Sequence, residues 1–218
     1  MKVGTDAVLL GAWVNASQSI NILDIGTGTG VIAIMLAQKS NATIDAIDID
    51  ESAYKQAIEN VMACPWNDRI NVHHAAFQDF STTNKKKYDL IVSNPPYFVD
   101  STKTPEEART YARHTDMLEF EELLDGVLKL LTDDGIFSLI LPSKEGELFR
   151  DIAESKELYL TKLMRVKPRD DKPEKRYLMK FEKKRKSFSE SSIVIEHEEH
   201  HSYTDEYKEL TKDYYLAF

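Results

Sequence analysis

Three glycines alternate through Gly26, Gly28 and Gly30, between the mostly apolar run Ile20–Ile25 and a second apolar run, Val31–Ala37. The first run is rich in β-branched residues and reads as a buried parallel strand. The second reads as a helix. A strand, a glycine turn and a helix in that order open a nucleotide-binding βαβ unit. The glycines let backbone approach a ligand where a Cβ would collide, and the helix N-terminus offers it unpaired N–H groups. A glycine-rich turn with no ligand is the bland alternative.

Two carboxylates narrow the ligand. Asp24 stands two residues before Gly26, and the spacing is G-x-G-x-G rather than the G-x-G-x-x-G of dinucleotide sites. A carboxylate at that point is a poor neighbour for a pyrophosphate and a good one for a cation. Asp48 follows the next expected strand, Ala42–Ile47, where an acid can bind two ribose hydroxyls. S-adenosylmethionine (SAM) has a ribose diol and a cationic methionine end. The pattern resembles the first two motifs of the Rossmann-like SAM-dependent methyltransferases.

The second chemical feature is Asn94-Pro95-Pro96-Tyr97, directly after the expected strand Tyr88–Ser93. In open α/β sheets, ligands sit at the carboxyl ends of strands, so Asn94 is expected to face the crevice of Gly26 and Asp24. The motif resembles that of methyltransferases acting on a planar nitrogen: adenine N6, guanine N2 or a glutamine amide. The lone pair of such a nitrogen is delocalised. The Asn94 side-chain oxygen and the Pro95 carbonyl can bind its two hydrogens and concentrate the lone pair towards the methyl donor. The prolines stiffen the loop, and Tyr97 can stack on a flat substrate. A tight turn after a strand is the competing reading.

The 218 residues suffice for one α/β domain, expected to span 1–218. The fold expected is Rossmann-like, a mostly parallel sheet with an antiparallel C-terminal strand and helices on both faces. Cys64 is the lone cysteine, which excludes an internal disulfide and suits a reducing compartment. No run resembles a signal peptide or approaches membrane-spanning length, so a cytoplasmic protein is expected. Net charge is −9, which gives no overall attraction to nucleic acid. The segment 162–186 nevertheless holds twelve Lys/Arg against four Asp/Glu. Charge alone does not separate a patch for a polyanion from a solvated loop and edge strand.

Other segments carry weaker signals. Thr5 is expected to cap a first helix, with Asp6 in its first turn. Asp6 is either a helix-start acid or a cofactor neighbour. The abrupt opening suggests that some upstream sequence is missing. Ala75-Ala76-Phe77 follows the short strand Ile70–His74, and Ala76 and Phe77 could close over an adenine ring; core packing is an equal reading of Phe77. His73 and His74 read as ordinary strand residues, and Lys85-Lys86-Lys87 as a solvated loop. Phe120–Leu131 has a helical apolar face, Asp133-Asp134-Gly135 reads as a turn into the strand Ile136–Leu141, and Ser143 as the cap of a further helix. Leu158–Val166 and Arg176–Lys184 read as strands, Ser191–His197 as another, and Thr204–Lys212 as a last helix. His197, His200 and His201 lie among glutamates in what reads as a polar loop, not a metal site.

The opening Met1-Lys2-Val3-Gly4-Thr5-Asp6-Ala7-Val8-Leu9-Leu10-Gly11-Ala12-Trp13 resembles the signature of the bacterial tRNA1(Val) adenine-N6-methyltransferases. The resemblance continues through Asp24–Gly30, Asn94–Phe98, Ala112-Arg113-His114 and Tyr214-Tyr215-Leu216. It implies methylation of N6 of the adenine just 3′ of the anticodon in a valine tRNA, with SAM as donor and S-adenosylhomocysteine as product. In-line methyl transfer requires no metal, and a monomer is expected. The resemblance also implies that Asp24, Gly26, Gly28, Gly30 and Asp48 bind SAM with Thr5, Asp6, Ala76 and Phe77 nearby. Asn94, Pro95, Pro96 and Tyr97 would hold the adenine. The segment 162–186 and the loop 99–116, with Arg109, Arg113 and His114, would grip the anticodon stem-loop. Members of that family usually carry a short segment ahead of the Met1–Asp6 run, expected to help enclose SAM. It is absent from this sequence.

Overall fold

The computed structural model describes residues 4–95, 119–198 and 202–215. The run before the glycines is β1 (Asn21–Ile25), a strand near the middle of an eight-stranded sheet. Its alternate residues feed different cores: Ile22 packs into the cluster on one face and Leu23 into that on the other. Burial on both faces is why the strand reads as an apolar run rather than an alternation.

The other strands are β2 (Thr43–Asp48), β3 (Ile70–His74), β4 (Tyr88–Ser93), β5 (Leu131–Pro142), β6 (Tyr159–Arg169), β7 (Arg176–Glu182) and β8 (Ser189–Glu196). They lie in the order β3-β2-β1-β4-β5-β7-β6-β8. Every pairing is parallel except the two made by β7. The order reverses between β1 and β4, where open α/β sheets leave a crevice at the carboxyl edge.

Helices cover both faces. α1 (Thr5–Trp13), α2 (Val31–Gln38), α3 (Glu51–Ala63) and α7 (Asp205–Thr211) contribute Leu9, Leu36, Val61 and Tyr207 to one core. On the other face lie α4 (Phe77–Thr83), α5 (119–130) and α6 (Ser143–Ser155). There Phe149 meets Phe120 edge-on at 5.1 Å and Phe181 at 5.5 Å between ring centroids. Such pairs add about 1 kcal/mol each beyond their area burial. No helix among the described residues is long and apolar enough to cross a membrane.

Local expectations fail where a side chain finds a tertiary partner. Gly4, not Thr5, is the N-cap of α1. Pro142, not Ser143, precedes α6, and the Ser143 hydroxyl donates instead to the Glu174 carbonyl at 3.2 Å. Phe77 starts the short helix α4 where a strand end was expected. Asp133-Asp134-Gly135 is not a turn before β5 but an irregularity inside it, because Leu131 pairs with Tyr88 and Ile136 with Leu90. Lys86 is no solvated loop lysine. It donates to Asp45 Oδ2 at 2.7 Å, a carboxylate that also accepts from the Tyr88 hydroxyl at 2.9 Å and meets His73 at 3.1 Å.

Asp45 is buried on β2. Burial pushes its carboxyl up, but Lys86, His73 and Tyr88 together outweigh that and hold it below the usual carboxylate range. Its contribution to stability is therefore complete above that range and disappears as pH falls through it. Lys86→Met removes the cation and is expected to lower the unfolding free energy by about 2 kcal/mol at neutral pH. Urea titrations of both proteins should converge as the pH is lowered into the carboxylate range. A deficit of the same size at acid pH would show that Lys86 acts by packing and not by charge.

Candidate active site

The crevice at the carboxyl edge is built by register. Ile25 lies opposite Ser93 on neighbouring parallel strands, and the Ser93 hydroxyl donates to the Ile25 carbonyl at 3.0 Å. The next residues, Gly26 and Asn94, therefore leave the sheet side by side. On the other flank the N–H groups of Gly26 and Thr27 both donate to the Ile47 carbonyl, at 3.0 and 2.9 Å. Three strand ends are thus joined at one point.

The glycine turn has the backbone its residues suggest. Gly26 has φ +69°, and a Cβ added there would point into open space within the crevice. Gly30 has φ +79° and is the N-cap of α2. Both conformations lie in the left-handed region that favours glycine. Asp48 shapes the turn as well as its own strand end: Oδ2 accepts from the Gly28 N–H at 2.8 Å and Oδ1 from the Asp50 N–H at 2.9 Å. From α3, the Asn60 side-chain amide donates to the Thr29 carbonyl at 2.9 Å.

Two adjoining cavities occupy the crevice, both lined by Gly26, Asp48, Ile49 and Pro95. The larger, about 830 Å³, is polar-rimmed and adds Thr5, Asp6, Gly28 and Asn94. The smaller, about 390 Å³, is mostly apolar and adds Ala75, Phe77, Phe120 and Leu123. The cleft thus pairs an acid with space for a flat ring on one side and open backbone with carboxylates on the other. Those features fit an adenosine carrying a cationic chain. A Cβ at Gly26 would project into that space.

Most of the residues expected from the sequence converge here. Thr5, Asp6, Gly26, Gly28, Asp48, Phe77, Asn94 and Pro95 all line the cavities. Asp6 is held by Arg176, Nε to Oδ2 at 2.7 Å. Gly30 acts one step back, as the cap of α2. Ala76 does not line either cavity; Ala75 does, because Ala76 is the N-cap of α4. Pro96, Tyr97 and the loop 99–116 lie outside the described residues, as do His200 and His201. Sequence reasoning missed Ile49. It is 70% exposed and lines both cavities. An apolar residue between Asp48 and Asp50 at a strand end was the available signal. Among the described residues no group of His, Cys, Asp or Glu could hold a metal ion.

The segment 162–186 does not form one basic patch. Strand alternation and the reversal of β7 divide it. Lys162 and Lys180 line a groove beside Trp13 on the α1 face. The β6–β7 hairpin puts Lys167, Lys172 and Lys175 at the carboxyl edge, because Arg176 pairs with Val166 and Pro142 there. Lys183–Lys186 follow Glu182, which pairs with Ile136 towards the opposite edge. Acids from outside the segment also return to it: Asp6, Asp133, Asp134, Glu154 and Glu190 pair with its cations.

Asp24 lies behind the cavity wall rather than in it. It is fully buried, and Oδ2 accepts from the Thr27 hydroxyl at 2.6 Å. Burial pushes its carboxyl up to about 7, and the Thr27 hydroxyl and the Ala33 backbone N–H offset only part of that. Between the unfolded value near 4 and about 7, the folded chain keeps a proton that the unfolded chain has lost. Wild-type stability without ligand therefore falls as pH rises through this window, by about 4 kcal/mol at most. Asp24→Asn cannot ionise, so it should melt above wild type at pH 8 and lose the dependence. Parallel melting profiles for the two proteins from pH 4 to 8 would refute the assigned ionisation.

A family model described as "Methyltransferase small domain" matches residues 2–118. A relative from Bacteroides fragilis, named tRNA1(Val) (adenine(37)-N6)-methyltransferase, is 46% identical over 217 residues, covering 99% of this chain and 91% of its own. One of the same name from Flavobacterium psychrophilum is 46% identical over 218 residues, covering 99% and 93%. Among solved structures, a predicted O-methyltransferase from Agrobacterium tumefaciens superposes with a TM-score of 0.75 at 17% identity, over 95% of this chain and 96% of that one. The M. capricolum TrmK in complex with S-adenosylhomocysteine gives 0.59 at 14% identity, over 86% and 71%. These two likenesses establish a shared Rossmann-like fold. The two sequence relatives go further: over nearly its whole length, this chain belongs to the tRNA1(Val) (adenine(37)-N6)-methyltransferase family.

Proposed function

We propose that this protein transfers a methyl group from SAM to N6 of an adenine in tRNA, the adenine 3′ of the anticodon in tRNA1(Val). It does so as a cytoplasmic monomer, with 1–218 as one methyltransferase domain. The observation that carries the reading is the convergence of Asn94 and Pro95 with Gly26 and Asp48 in one crevice.

The residues present suit the donor. Asp48 keeps lone pairs for a ribose diol beyond those used by Gly28 and Asp50. Ile49, Ala75 and Phe77 offer an apolar slot for an adenine ring. Gly26 and Gly28, with Thr5 and Asp6 lining the same cavity, frame the methionine end, and Asp24 behind the turn is an acid that ionises in response to that cation. When bound, SAM supplies an electrophilic methyl group on its sulfonium.

Asn94 and Pro95 do the remaining work. The Asn94 side-chain oxygen and the Pro95 carbonyl accept the two N–H groups of the target amine. That orients its lone pair and offsets the positive charge that grows on nitrogen as the new N–C bond forms. Neither acceptor has to remove a proton first; the methylated nitrogen sheds one to water afterwards. Rate comes chiefly from positioning. The Ser93–Ile25 bond keeps the acceptors beside the glycine turn. Pro96 and Tyr97 extend the motif and are assigned to loop stiffness and stacking. A base in a loop is unstacked at less cost than one in a duplex, which suits a target beside the anticodon.

Incubation with labelled SAM and total tRNA, followed by digestion to nucleosides, should yield N6-methyladenosine. Asn94→Ala should lower turnover by a factor of about 10² or more, while calorimetric SAM affinity changes by no more than about threefold, within the scatter of a single altered contact. Label in N2-methylguanosine, or a product destroyed by protease and not by nuclease, would overturn the substrate; full turnover by Asn94→Ala would overturn the role of the acceptor.

A further inference from the structure

We propose that tRNA phosphates are gripped by the β6–β7 hairpin, at Lys167, Lys172 and Lys175, and not by the equally basic run Lys183–Lys186. The inference rests on the tRNA reading above and deepens it, by choosing between two clusters that are continuous in sequence.

Topology makes the choice. Lys175 is fixed at the carboxyl edge by two backbone bonds: its N–H donates to the Val166 carbonyl at 2.8 Å, and its carbonyl accepts from the Ser143 N–H at 3.2 Å. Ser143 directly follows β5, the strand beside β4. The base of the hairpin on β7 is thus two strand spacings from the strand that presents Asn94, roughly 10 Å across the sheet. Lys183 begins the run at the other end of β7, roughly 23 Å along the strand from Arg176. An RNA whose base enters the crevice passes the hairpin first.

Electrostatics agree. Among the described residues no ion pair engages Lys167 or Lys175, and Lys175 is exposed. Lys172 is exposed and, among the described residues, pairs with its neighbour Asp171 at 3.0 Å. Such a surface pair is worth little and yields readily to a phosphate. Lys183, Lys184 and Arg185 lie beside Asp133, Asp134 and Glu154 at the end of the sheet away from the crevice; these are surface pairs as well, so position rather than pairing sets this run apart. The β8 flank of the hairpin is acidic on balance: a cavity of about 680 Å³ there is lined by Asp170, Asp171, Glu196, Glu198 and Glu206, against Arg169. Phosphates are repelled on that side, so the RNA runs along the side of the hairpin nearer α6 and β5. The hairpin is also stiffened where it is needed, since Arg165 bridges Glu174 on its return limb and Glu190 on β8.

Two triple variants test this. K167Q/K172Q/K175Q and K183Q/K184Q/R185Q each remove three charges, and their melting temperatures show whether each folds. Binding of unmodified tRNA is followed by fluorescence anisotropy between 50 and 200 mM salt, and SAM affinity by calorimetry. The hairpin variant should bind tRNA at least about tenfold more weakly with a salt slope shallower by about 2, and bind SAM as wild type does. The other variant should bind tRNA within about threefold of wild type, as expected of charges that touch no phosphate. Equal losses in the two variants, or an unaltered hairpin variant, would overturn the proposal. The same proteins are assayed for N6-methyladenosine in parallel. Wild type that binds tRNA through the hairpin and methylates no adenine would sink the functional reading while leaving the surface standing.

Discussion

The site depends on one alignment, the parallel register that sets Ile25 opposite Ser93. The hydroxyl of Ser93 and the paired amides of Gly26 and Thr27 tie β1, β4 and β2 together at their carboxyl ends. A slip of one residue would turn every side chain of the strand to the other face. Register is protected because both faces are buried: Ile22 and Leu23 belong to different cores. Core packing on both sides of the sheet thus holds a turn and a loop in contact, and chemistry sits where irregular backbone starts.

The carboxylates around this point divide their duties. Asp48 lines the crevice and also braces the glycine turn through Gly28, so the cavity wall and the loop shape share one side chain. Asp24 is withdrawn from water, which raises the energy of its charged form. Only Thr27 connects it to the cavity wall. A buried acid of that kind responds to a cation placed nearby, since an opposite charge favours ionisation. Asp45 has the opposite fate, because it is less deeply buried and Lys86, Tyr88 and His73 surround it. Depth and partners together separate a structural acid from a responsive one.

The last third of the chain adds more than extra strands. Inserting β7 antiparallel between β5 and β6 brings the β6–β7 hairpin back to the edge where Asn94 lies. It also brings Arg176 to Asp6, so the beginning of the chain closes on the wall of the crevice. One reversal of strand direction therefore shapes both the hairpin beside Asn94 and the Asp6 wall of the crevice.

Local pattern was enough for the strand–glycine turn–helix unit and the placement of Asp48 and Asn94 at strand ends, which follow from period, punctuation and the chemistry of a few side chains. The class of methyl acceptor came from the resemblance of Asn94-Pro95-Pro96-Tyr97 to a known methyltransferase motif. Three-dimensional packing settled what depends on distant partners. Lys86 became a half-buried counter-ion because the fold brings Asp45 of β2 beside its loop. Ala75 rather than Ala76 reached the cavity because α4 begins at Phe77. Ile49 proved exposed at the rim; its place between two acids at a strand end hinted at this, but only the cavity showed it. The basic segment was split between two edges of the sheet because strand direction is a property of pairing, and pairing joins residues that are far apart in the chain.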